Sequence, residues 1–125
     1  MKKCYLIISN IANVTGLGSH MVTDLAKKVS DGHWYIFFGA HTGAGEVDKL
    51  RTRCILIRSD FQSANEVYDY IYSEILKYDK NRKWGFLDIP VFYQKHTDFF
   101  VIEVNKNYKG FLNSEAWDFI HGIFQ

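Results

Sequence analysis

Two periods alternate along this chain. Residues 4–9 form a short apolar run rich in Ile and Tyr, which predicts a buried strand. Asn10 to Gly18 holds two glycines and two asparagines and reads as a loop. From Ser19 the spacing turns helical: Val22, Leu25, Ala26 and Val29 share a face, Ser19 can cap the first turn, and Gly32 supplies a stop. Trp34 to Phe38 predicts a second, aromatic strand, and His41 to Asp48 is a polar, glycine-bearing, hairpin-like connection. Arg53 to Arg58 predicts a third strand, apolar in its middle and charged at both ends.

Ser63-Ala64-Asn65-Glu66 is a capping box, in which the Ser and Glu side chains satisfy free backbone donors reciprocally. It opens a helix to about Tyr78, with Val67, Ile71, Ile75 and Tyr78 on one face. Lys80 to Lys83 reads as a charged turn. In Trp84–Tyr93, Gly85 and Pro90 interrupt an apolar stretch, which suggests an edge strand or a lid packed by its own rings. Phe99–Val104 predicts a fourth strand, and Asn113–Phe124 a short helix with Trp117, Ile120 and Phe124 inward.

The resulting order is β-α-β-β-α-β plus a terminal helix. This is the split pattern of the ferredoxin-like fold: an α+β domain over residues 1–125, with an antiparallel sheet and two packed helices. A doubly wound α/β sheet would need a helix between residues 38 and 53. Gly39, Gly43 and Gly45 fall there without helical periodicity, so that rival fails.

Composition adds constraints. The chain has 125 residues, enough for one domain. Aromatics reach 17%, with ten Phe, eight Tyr and three Trp, more ring area than a domain this small buries in full. Some rings are therefore expected on a partner surface or in a groove. The formal net charge is only +1, so a nucleic-acid reading must rest on a local patch. Cys4 and Cys54 sit inside apolar runs and read as buried thiols rather than a disulfide framework. The opening Met-Lys-Lys-Cys-Tyr-Leu-Ile-Ile breaks at Ser9-Asn10 and lacks a small-residue cleavage site, so it is not read as a signal peptide. No stretch approaches the roughly 20 apolar residues of a membrane span. Cytoplasmic residence, with no membrane partner, is the expectation.

Three stretches carry a family resemblance. Tyr5-Leu6-Ile7-Ile8-Ser9-Asn10 is one. Cys54-Ile55-Leu56-Ile57-Arg58-Ser59-Asp60, followed by Ser63-Ala64 and a helix, is the second. Phe100-Val101-Ile102-Glu103-Val104, with Tyr108-Lys109-Gly110-Phe111 after it, is the third. Together they resemble the small ferredoxin-like nuclease group that includes SinR-like and GhoS-like endoribonucleases and the CRISPR spacer-integration subunit. The resemblance implies a dimer with a divalent metal held by an aspartate ending the first strand. Here that position is Asn10, and a neutral amide is a poor ligand for a hard cation beside a carboxylate. Metal-dependent hydrolysis is thereby put in doubt and a binding role gains. Asp60 offers a carboxylate, but alone.

Several motifs bear on chemistry. Asn13-Val14-Thr15-Gly16-Leu17-Gly18-Ser19 precedes a helix, where free amides can hold an anion, as in ACT-type regulatory domains; Asn10, Asn13, Gly16, Gly18 and Ser19 are the candidate ligand-binding residues. It lacks the third glycine of a dinucleotide fingerprint and the Lys-Ser/Thr ending of a P-loop, and a plain turn is the simpler reading. Lys49, Arg51, Arg53 and Arg58 flank the third strand. With Trp34 or Tyr35 next door they could form a cation-and-ring surface, or simply a solvated strand edge. Trp84, Phe86, Phe92 and Tyr93 form the densest ring cluster, suited to a partner or to edge packing. The five histidines show no ligand spacing, so neither metal, cofactor nor catalytic residue is assigned.

The expectation is a small non-catalytic binding protein acting as a homodimer on nucleic acid, or on a toxin or effector that it neutralises. A SinR-like metal-dependent endoribonuclease and a sensor of small anions or amino acids are the alternatives.

Overall fold

Lys3–Asn10 (β1) and Thr52–Ser59 (β3) are the central strands of a four-stranded sheet, and their apolar runs are buried on both faces. The computed structural model describes residues 1–10, 17–38, 52–81, 99–110 and 112–123, with backbone alone at 10, 17–20, 52 and 78–81. Around the central pair stand Leu17–Val29 (α1), Trp34–Phe38 (β2), Ala64–Asn81 (α2), Phe99–Val104 (β4) and Ser114–Ile123 (α3). The sheet order is β2-β3-β1-β4 and each neighbouring pair is antiparallel. The fold is thus α+β: among the described residues, a four-stranded antiparallel sheet with three helices.

Side chains on a strand alternate between faces. Tyr5, Ile7, Ile55 and Ile57 point to the face covered by α1 (Val22, Leu25, Ala26) and α2 (Val67, Ile71, Ile75). Cys4, Leu6, Ile8, Cys54 and Leu56 point to the other, where Leu112 and the Ala116 and Ile120 positions of α3 close a second core. Antiparallel strands usually keep one solvated face and alternate in polarity. Here α3 covers the second face, which explains why 4–8 and 54–57 read as unbroken apolar runs.

The helix boundaries differ from expectation in ways the backbone explains. α1 begins at Leu17, so Gly18 and Ser19 lie in its first turn instead of in a loop and a cap. First-turn N–H groups need no intrahelical acceptor, so residues of low propensity are tolerated there. At the other end, the α1 chain leaves through Gly32 at φ 96°, the left-handed region glycine favours. At α2, Ser63 Oγ accepts from Glu66 N–H at 3.1 Å, while Glu66 Oε2 accepts from Gln62 N–H at 3.2 Å, one residue earlier than the standard box. α2 continues to Asn81, so Lys80 belongs to the helix and not to a turn, while Arg82 and Lys83 lie outside the described residues. α3 is capped by Asn113, whose Oδ1 accepts from Ala116 N–H at 2.8 Å. Its buried positions are Ala116 and Ile120, joined by Leu112 just before the helix; Trp117 is only half-buried, and Phe124 lies outside the described residues.

The expected buried thiols are present: Cys4 and Cys54 are free and wholly buried, and burial pushes the Cys4 thiol up to about 12. No helix among the described residues is long and apolar enough to cross a membrane. If both cores carry the fold, Ile120→Ala on the α3 side should cost about 2–5 kcal/mol, as Ile71→Ala should on the other side. Urea titrations of the two variants check this; an Ile120→Ala midpoint equal to wild type would show that α3 contributes no core.

Candidate partner-binding face on the edge strand

β2 ends the sheet and, among the described residues, pairs with β3 alone. Its two faces differ. Toward α3, Phe37 is buried, Tyr35 stacks on it at 5.7 Å, and the Tyr35 hydroxyl donates to Glu115 Oε2 at 2.6 Å. The Glu115 hydrogen bond, with burial, pushes the Tyr35 phenol up. That face is occupied.

The face toward α1 is not. Trp34 is 42% exposed and Phe38 57%, with half-buried Ile36 between them. The reason is lateral: among the described elements, α1 packs mainly over β3 and β1 rather than over the outer strand. Each exposed ring carries a cation. Lys27 Nζ sits 4.4 Å from the Trp34 ring centre, and the Arg53 guanidinium 6.0 Å from that of Phe38.

Register decides these pairs. Phe38 lies opposite Arg53, whereas Trp34 lies opposite Ile57, so Arg53 meets Phe38 rather than the Trp34 or Tyr35 expected from sequence. Tyr35 belongs to the other face. Lys27 and Phe38 were absent from the sequence-based set. Two-residue alternation from Trp34 could have placed Phe38 on its face, but only the packing of α1 brings Lys27 to the tryptophan. Beyond Arg53, the same row continues through Ser9 to Phe99, on which Tyr68 stacks at 4.6 Å, followed by Tyr72 at 5.8 Å from Tyr68.

Arg58 stands at the opposite end of β3 in a different role. Asp31, with a side chain 7% exposed, is the hub there. Lys2 Nζ lies 2.9 Å from its Oδ2, and Arg58 Nε donates to the same oxygen. His33 donates its backbone N–H to Oδ1 at 3.1 Å and places Nδ1 3.0 Å from it. Burial pushes the Asp31 carboxyl up, but the bonds from Lys2, Arg58 and His33 outweigh it and hold it well below the usual carboxylate range. Arg58 therefore ties the α1–β2 turn to β3.

Asn10 and Asp60 are also separated. Asn10 pairs with Thr52 and Lys3 with Ser59, so the two candidates for the strand-one site fall at opposite ends of β3. Its eight residues put them about 25 Å apart at ~3.3 Å per residue. Asp60 lies instead 3.9 Å from Lys2 Nζ. Among the described residues, no three His, Cys, Asp or Glu side chains gather as a metal site. A cleft of ≈ 200 Å³ lies between Met1–Cys4 and Glu103–Asn105, smaller than usual for small-molecule sites.

Gly18 and Ser19 are placed only as backbone in the first turn of α1, and Asn10 as backbone ending β1. Asn13, Gly16, Lys49, Arg51, Trp84, Phe86, Phe92 and Tyr93 lie outside the described residues. Neither protein-family models nor curated proteins matched this chain.

The Asp31 hub predicts an acid limb. Because its folded value lies below the unfolded one near 3.9, its stabilisation is complete above that value and is lost as pH falls toward the folded value. Asp31→Asn should cost about 1–3 kcal/mol at neutral pH. It should also flatten the loss of stability that sets in as pH falls below about 5 and is steepest below about 4. Lys2 is half-exposed, so Lys2→Ala should cost under about 1 kcal/mol. Urea midpoints measured across pH check both.

Proposed function

We propose that this is a non-catalytic binding domain of ferredoxin-like topology that acts by engaging a macromolecular partner on the α1-side face of β2. The observation that carries the proposal is the pair of exposed rings, Trp34 and Phe38, each with a cation over it. Large rings left in water on an edge strand are costly apolar area, and interfaces enrich aromatic residues together with arginine. A cation beside each ring selects a partner that presents negative charge next to flat or apolar groups.

The topology supports the ferredoxin-like part. β1 and β3 are central, and α1 and α2 follow β1 and β3 and cover the same face. The departure is α3, which takes the second face. Self-association is accordingly assigned to an edge: β2, or β4 where Phe100 is 42% exposed.

A photo-crosslinking residue in place of Phe38 tests the docking face. In a lysate of the source organism, adducts should form from position 38 and not from exposed Asp69 on α2. Trp34→Ala/Phe38→Ala should abolish partner association yet change unfolding stability by less than about 0.5 kcal/mol, since both positions are exposed. Equal adducts from both positions, or undiminished association of the double variant, would overturn the proposal.

A further inference from the structure

We infer that the partner on the β2 face is single-stranded nucleic acid, bound with little sequence preference by stacking of bases on Trp34 and Phe38 and phosphate contact to Lys27 and Arg53. This rests on the β2 face being the docking surface, as proposed above, and names what docks there.

Three features select this occupant. The first is the repeated unit: ring plus cation occurs twice on one face, which matches a polymer that repeats base plus phosphate. The second is spacing. Trp34 and Phe38 are separated by about 13 Å at ~3.3 Å per residue. A single strand covers that distance in about four nucleotides at the 3.4 Å stacked rise, and in fewer when extended. The third is local charge. Lys27 and Lys28 end α1, and Arg53 faces Phe38; against them stands Asp24 one turn back, while Asp31 is engaged by Lys2 and Arg58. Among the described residues, cations thus outnumber carboxylates beside the two rings, on a chain of net charge +1.

Ring stacking also excludes duplex as the preferred form. Bases in a duplex already stack on one another and present edges and phosphates, not faces. Two exposed rings gain contact only from bases that are free to be splayed apart.

Anisotropy titration of labelled single-stranded RNA and DNA of mixed sequence, about 12 nucleotides long, tests this against a duplex of the same length. The wild-type chain should bind the single strands. Log K should fall against log salt with a slope of about −1.4, reflecting two phosphate contacts at about −0.7 each. Trp34→Ala and Phe38→Ala should each weaken binding about 5- to 150-fold. Lys27→Gln should reduce the slope by about 0.7. Duplex should compete poorly. No binding, equal binding by the ring variants, or equal competition by duplex overturns the inference. If no oligonucleotide binds while position 38 still gives a protein adduct resistant to RNase and DNase, the nucleic-acid inference falls and the docking face stands. If neither binding nor any adduct appears, both fall.

Discussion

Burial of β1 and β3 on both faces is the constraint on which the rest of the molecule depends. Two helices close one side and α3 the other, so every side chain from Cys4 to Ile8 and from Cys54 to Ile57 finds apolar neighbours. The consequence reaches the rim. With the central strands covered by helices on both sides, surface available for docking shifts to the strands at the edges. β2 is asymmetric there: Tyr35 and Phe37 are held by α3, while Trp34 and Phe38 overhang α1.

Polar ties fix the edge strand, of which α3 covers one face. The Asp31 hub joins the α1–β2 turn to the end of β3, reinforced by Asp31 N–H to the Arg58 carbonyl at 2.8 Å and Arg58 N–H to the His33 carbonyl at 3.1 Å. These contacts set where β2 begins and hence its register on β3. That register then places Phe38 opposite Arg53. The hub is structural, and its arginine acts by fixing the edge strand.

Much of the fold was legible from the chain itself. The four strand segments, the Ser63 start of α2 and the buried cysteines follow from local patterning, because each depends on neighbours within a turn or a two-residue period. The limits of α1 and α2 were not, because Gly18 and Lys80 are tolerated in positions where helix geometry makes few demands. The proposed docking face was legible only in part. Trp34 and Arg53 stand out as a ring and a cation, but their pairing depends on cross-strand register, and Lys27 reaches Trp34 only through helix-on-sheet packing. Arg58 looks like Arg53 in sequence, and only its contact with buried Asp31 shows that it has a different role. Asn10 and Asp60 carry no sign in sequence of the length of β3 between them.

Amide hydrogen exchange followed strand by strand is the most direct test of a central strand pair sealed on both faces, with β2 an edge among the described strands. Amides of β1 and β3 should exchange only through global unfolding. Those of β2 that point away from β3 should exchange far faster in the free protein, and slow when partner is bound. Protection of the outward β2 amides equal to that of β1 in the free protein would contradict the account.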